Sequence, residues 1–124
     1  RLGEVLRFIE IHLSDPNLCM AMVSAGCGVS QRYLSLLLQG TGQTFSELVW
    51  SKRLELARDW LSRADPRAIA ISEIAYGVGF KSTAHFSRKF KRVFGVNPSD
   101  FRENVASQPA DAEDYGGLAG ATLQ

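Results

Sequence analysis

The residues best placed to do chemistry lie between Lys81 and Arg92, where five side chains are basic and none is acidic. At about 100° per residue, Ala84, Arg88, Lys91 and Arg92 share one side of a helix, while Phe86, Phe90, Val93 and Phe94 share the other. A helix divided in this way can bury its phenylalanines and offer small and cationic side chains to a polyanion. The major groove of duplex DNA suits such a surface. A planar guanidinium at Arg88 can pair with two acceptors on a guanine edge, which discriminates by about 1–3 kcal/mol. Lys91 is read as a second nucleic-acid contact. Lys81, Lys89 and Arg92 suit phosphates, which supply affinity without sequence choice. Ser82 opens the helix, and Thr83, Ala84 and Ser87 are small enough to admit the groove, although Thr83 can instead help cap the helix. His85 lies to one side, as a phosphate contact or as a partly exposed packing residue.

Such a helix needs a mount. Ile71 to Tyr76 is a short amphipathic stretch, and Gly77-Val78-Gly79 is a turn. Together the three pieces make a helix-turn-helix. The same arrangement occurs earlier in the chain. Val23-Ser24, Gly28-Val29, Ser30, Leu34-Ser35 and Leu38 match Ile74-Ala75, Gly79-Phe80, Ser82, Phe86-Ser87 and Phe90, with Lys81 as one extra residue in the second copy. Ser30 is a good N-cap for the earlier reading helix. Arg32 points outward there and is its best base-reading candidate. Gln31 and Ser35 flank it and can reach a base or a phosphate. Leu36 is equivalent to Arg88, and three roles stay open for it: contact with a thymine methyl, packing against a further domain, or an idle surface position.

The remaining pattern is helical throughout, with no strand signal. Leu2, Val5, Leu6, Ile9 and Leu13 recur at helical spacing until Ser14-Asp15-Pro16-Asn17. Thr44-Phe45-Ser46-Glu47 has the form of a capping box. The helix it begins runs to about Ser62, with Trp50, Leu54, Ala57 and Leu61 on one stripe, before Asp65-Pro66. Its roughly 19 residues span about 28 Å at 1.5 Å each, against about 34 Å between successive major-groove faces. Lys52, Arg53 and Arg58 on it are expected to be surface charges, some pairing with Glu55 or Asp59. Asn97-Pro98 caps a final short helix through Phe101. The expected organisation is a first helix-turn-helix subdomain over 2–43, with its turn-helix unit at about 18–39. A linker helix over 44–62 follows, then a second subdomain over 68–104, with its unit at about 70–94. A flexible tail over 105–124 ends the chain, its composition turning to Gly, Ala, Asp and Gln from Ser107.

The net charge of +1 on 124 residues hides a local imbalance, because residues 103–124 carry −4 and residues 1–102 therefore carry +5. Cys19 and Cys27 have no partners at a metal-binding spacing, so two reduced, half-buried thiols are expected. No apolar run approaches a membrane span and no signal peptide is evident, which points to a cytosolic protein without membrane contact. No nucleophile–base pair, metal cluster or phosphate-cradling loop suggests an enzyme or a cofactor. The chain opens at Arg1 directly in a helical pattern, as a piece of a longer protein would. Phe80, Phe86, Phe90, Phe94 and Trp60 are expected in the core, and His12 in a structural role.

The second unit, from Ile71 to Arg102, resembles the signature of the AraC/XylS family of bacterial transcription regulators. The first unit, G-V-S-Q-R-Y-L-S-L-L-L, and the linker positions Arg53-Leu54, Ala57 and Trp60-Leu61 follow the same family in the same order. The resemblance covers about residues 2 to 104. It implies an all-α, seven-helix DNA-binding domain of two helix-turn-helix subdomains joined by a long linker helix. Sequence-specific binding of promoter or operator DNA would follow, with both reading helices in adjacent major grooves. RNA polymerase is a further implied partner, as is an N-terminal effector or dimerisation domain outside this chain. Arg53 would brace the two subdomains. Several positions depart from the family pattern: Leu36 stands where arginine is common, Leu38 where phenylalanine is usual, and Cys19 and Ala70 where a Ser or Thr cap is expected. Those departures, and a first unit with little basic charge, leave an alternative: a helical protein-interaction module with weak or no DNA binding.

Overall fold

The computed structural model describes residues 1–63 and 69–106, and these form seven helices and no strand. In chain order they are α1 (Leu2–Ile11), α2 (Met20–Cys27), α3 (Gln31–Gln39), α4 (Phe45–Arg63), α5 (Ile71–Gly77), α6 (Thr83–Phe94) and α7 (Pro98–Ala106). The expected all-α architecture is the observed one.

Two cores divide the molecule. Val5, Ile9, Leu13, Leu18, Val23, Leu34 and Leu38 bury together with Leu48 and Val49 of α4. Phe80, Phe86, Phe90, Ile74, Ala75 and Val78 bury together with Leu54, Ala57 and Leu61. The long helix therefore gives its first half to one core and its second half to the other. That division makes it a structural spine. Its start is locked as the sequence suggests: Thr44 N–H donates to Glu47 Oε1 (2.9 Å), and Glu47 N–H donates to Thr44 Oγ1 (3.1 Å). Two backbone donors that the first turn leaves unpaired are thereby satisfied.

Several expectations fail on tertiary detail. The last helix does not stop at Phe101 but reaches Ala106, taking in two residues assigned to the tail. Its start is as expected, with Asn97 Oδ1 accepting from Asp100 N–H at 2.8 Å. Lys52 pairs with Glu10 of α1 rather than with Glu55 or Asp59. Asp59 instead pairs with Arg63, and the Arg58 guanidinium lies over the Phe94 ring, 4.8 Å from its centre. A neighbouring helix offered each of these two cations a partner that spacing along α4 cannot reveal. Val93 shares the apolar arc of α6 yet is 48% exposed. A helical wheel fixes direction, but burial needs a neighbour, and the described elements cover that last turn only in part. Phe94 and Trp60 are half-buried against the second core rather than enclosed by it. Cys19 is exposed and Cys27 half-buried. His12 stacks on Phe8 and bonds its carbonyl through Nδ1 at 2.9 Å, a structural role as expected. The break at Asp65-Pro66 and the tail from Ser107 lie outside the described residues.

Candidate nucleic-acid interface

Each helix-turn-helix is built by the same hydrogen bonds. In the first, Val29 N–H donates to the Ser24 carbonyl at 3.1 Å; in the second, Phe80 N–H donates to the Ala75 carbonyl at 3.0 Å. Gly28 and Gly79 take the positive φ angles, 69° and 108°, that turn the chain out of the preceding helix. Such angles disfavour residues bearing a Cβ. Ser30 Oγ then accepts from Tyr33 N–H at 3.1 Å, and Ser82 Oγ from His85 N–H at 3.2 Å. Both reading helices thus start on a serine cap. Behind them Leu34 and Leu38, or Phe86 and Phe90, are buried. The repeat in the sequence is a repeat in the backbone.

What α3 and α6 turn outward follows from what they bury. Gln31, Arg32, Ser35 and Leu36 are exposed on α3, with Ser30 at its cap. Lys81 and Ser82 are exposed in the turn, and Ala84, Arg88, Lys91 and Arg92 on α6, while Thr83 and Ser87 are half-buried. Ser82, not Thr83, caps the helix. Among the described residues, the side chains of Arg32, Lys81, Arg88, Lys91 and Arg92 have no hydrogen bond or ion pair. Their charge is left to solvent or to a ligand. Lys89 belongs elsewhere: its ammonium lies 4.4 Å from the centre of the Trp50 ring on α4. It is a brace between α6 and the spine, where a phosphate contact had been expected. Attraction between the ammonium and the ring face holds it there.

Two exposed side chains complete the surface. Tyr33 and His85 occupy the same place in the repeat, the residue whose N–H meets the serine cap. Tyr33 escapes a reading based on charge because it carries none, but the 52-residue offset that pairs Ser30 with Ser82 also pairs it with His85. Burial, and then the charges of Lys89 and Arg88, lower the His85 pKa below its ordinary value. An edge contact with Phe80 holds its ring, at 5.7 Å between centres.

The two units also meet. Arg53 donates from Nε to the Leu13 carbonyl (2.9 Å) and from Nη2 to the Asp15 carbonyl (2.8 Å), tying the spine to the chain between α1 and α2. Gly79 of the second turn lies against the same guanidinium and the same Leu13 carbonyl. Arg53 braces both subdomains, as the family pattern implies. Burial lowers its pKa and Asp15 opposes that shift.

Two serine-capped helices on separate cores, joined by one spine helix, define a double helix-turn-helix protein in which one of those helices has a strongly cationic outer face. Residues 23–104 match the family model described as "Helix-turn-helix domain". The chain is 33% identical over 107 residues to the transcriptional activator RhrA of Rhizobium meliloti, and 34% identical over 105 residues to the transcriptional activator NphR of a Rhodococcus species. These matches cover 86% and 85% of this chain but only 34% and 30% of those proteins, so the chain spans about a third of their length. Among solved structures, the C-terminal domain of AraT, a response regulator from Geobacillus stearothermophilus, superposes with a TM-score of 0.73 at 31% identity, covering 83% of this chain and 84% of that one. An AraC-type transcriptional regulator from Chromobacterium violaceum gives 0.75 at 28% identity, covering 87% and 94%. The chain belongs to the AraC-type helix-turn-helix family of DNA-binding transcription regulators. Its described helices include none long and apolar enough to cross a membrane.

Proposed function

We propose that this domain binds duplex DNA with sequence preference, placing α3 and α6 in two neighbouring major grooves on one face of the helix. The observation that carries the reading is the repeated capped turn, which presents two equivalent outward faces from one spine. The spine has 19 residues, about 28 Å at 1.5 Å each. That is commensurate with the roughly 34 Å between groove faces one turn apart. In this reading Arg32 and Arg88 meet base edges. Lys81, Lys91 and Arg92, with Ser30, Ser82 and the backbone donors at the helix starts, meet phosphates. Gln31, Ser35, Leu36, Thr83, Ala84 and Ser87 line the groove contacts. Lys89 drops out, and its brace to Trp50 instead sets the angle of α6 on the spine.

The relatives named as transcriptional activators make promoter DNA the natural target. RNA polymerase, and an effector or dimerisation domain on the same polypeptide, are the further partners that the family raises. Titrating affinity for duplex DNA against salt tests the core of the reading. A domain neutralising three phosphates, through Lys81, Lys91 and Arg92, loses affinity along a log–log line with slope near −2.7, at about −0.9 per phosphate. Affinity that ignores salt, or no measurable affinity at low salt, leaves a protein-docking module as the better account of the exposed Leu36 and Tyr33.

A further inference from the structure

Counting from the capping serine, the second and sixth residues of each reading helix sit one turn apart, on the side opposite the buried pair. In α3 they are Arg32 and Leu36; in α6 they are Ala84 and Arg88. All four are exposed, Leu36 at 56%. Neither guanidinium has a hydrogen bond or ion pair with a described residue. Each helix therefore offers one free guanidinium and one apolar side chain at equivalent places, in reversed order.

We infer that this reversal is a base code: each unit reads one guanine and one thymine, and the order along the helix is guanine then thymine for α3, thymine then guanine for α6. The inference rests on the two-groove reading above and deepens it. In the major groove guanine alone presents two acceptors, O6 and N7, that a guanidinium fork can take together. Thymine's 5-methyl is the one apolar group on a standard base edge there. A leucine standing half in water, beside an arginine on a face otherwise polar, gains by covering that methyl. Ala84 carries only a methyl group of its own, and it lies in the first turn of α6, where a reading helix approaches the bases most closely. Replacing Leu36 by the arginine of the equivalent place, and Arg32 by the alanine, should therefore rewrite one half-site into the order of the other.

The probe is the set of duplexes that the domain itself recovers from a random pool. With the unaltered chain, two half-sites about one helical turn apart are expected. Deoxyuridine in place of the thymine facing Leu36 removes only the methyl and should weaken binding about fourfold, the worth of one buried methyl group. The same replacement should leave Leu36→Ser unaffected, since a hydroxyl in place of the isobutyl group offers no apolar surface to the methyl. 7-Deazaguanine opposite Arg32 should cost about tenfold, and nothing in Arg32→Ala. A second selection with the Arg32→Ala, Leu36→Arg double variant should exchange the guanine and thymine positions of that half-site and leave the other unchanged. All these positions are exposed, so an unaltered melting temperature shows that folding is intact. Recovery of two half-sites that tolerate deoxyuridine, or that the double variant leaves unaltered, overturns the code while the two-groove reading stands. Recovery of a single half-site, or no enrichment, overturns both.

Discussion

In the first helix-turn-helix, open space surrounds the point where a Cβ on Gly28 would stand; in the second, a Cβ on Gly79 would lie 2.6 Å from both the Leu13 carbonyl oxygen and Arg53 Nε. The two glycines answer the same backbone demand, a positive φ after a helix. Only the second is also a joint, where the turn of one unit presses on the chain of the other. The cores differ in the same sense. The fully buried residues of the first are all aliphatic, with Phe8 and Phe45 only at its margin, whereas the second sets Phe80, Phe86, Phe90, Phe94 and Phe101 in a chain of tilted and edge-on rings, with centres 4.6–5.7 Å apart. The two units share their hydrogen bonds but not their surroundings. The second unit became the cationic one, the more aromatic one and the one against which the spine is braced.

The sharpest way to break this comparison is to give both glycines a methyl group. Gly28→Ala should cost about 1–2 kcal/mol, the strain of a left-handed residue. Gly79→Ala should cost about 3 kcal/mol or more, because steric overlap adds to strain. Urea midpoints at an unchanged m-value measure both; equal losses would mean that Gly79 is no joint. Next in size is Arg53→Met, which leaves the Leu13 and Asp15 carbonyls without their charged donor and should cost about 2 kcal/mol. It should also blunt the penalty for inserting one base pair between half-sites, since the two units are then less firmly held.

On DNA, Arg88→Ala should relax preference at one base position by about 1–3 kcal/mol. Lys91→Ala or Arg92→Ala should weaken all duplexes alike and flatten the salt slope by about one. Equivalent effects from all three would erase the distinction between readers and anchors. Smaller still are the caps. Cys19 and Ala70 begin α2 and α5 without a side-chain cap, although Glu73 Oε1 already accepts from Ala70 N–H at 3.2 Å. Cys19→Ser and Ala70→Ser should each gain about 0.5–1 kcal/mol in thermal or urea unfolding. The least effect is electrostatic. The His85 pKa is lowered in the folded state, so the unfolded chain takes up the proton first. Stability is then whole above the ordinary histidine range near 6.5 and declines as pH falls through it. The side chain is exposed, so melts at about pH 7.5 and about pH 5.5 should differ slightly more for the unaltered chain than for His85→Gln.

Much of this architecture is legible along the chain because its causes are local. Ser30, Ser82 and the Thr44–Glu47 box act on donors three residues away, so residue type and spacing suffice to place three helix starts. The buried pairs Leu34 and Leu38, Phe86 and Phe90 follow from helical period alone. Once those faces are inward, Arg32, Leu36, Ala84 and Arg88 must face outward. Lys89 shows where that logic stops. Its place on the helical wheel is compatible with solvent, and only the arrival of Trp50 from a helix some forty residues earlier takes its charge out of the candidate interface. Lys52 and Arg58 make the same point, since their partners Glu10 and Phe94 come from other helices, and Val93 makes the converse one, exposed although it shares the apolar arc.

The order of amino acids by itself determined that there are two capped turns, which faces of their helices are apolar, and that positive charge gathers on the second. Those properties need no more than a few residues of chain to act. Tertiary structure decided how the two units are held: Arg53 reaching two carbonyls of the first unit, Gly79 closing on the same guanidinium, Lys89 laid on Trp50. Each of those contacts joins residues far apart in the chain across gaps of a few ångströms. Their geometry exists only after both cores have packed against the shared spine.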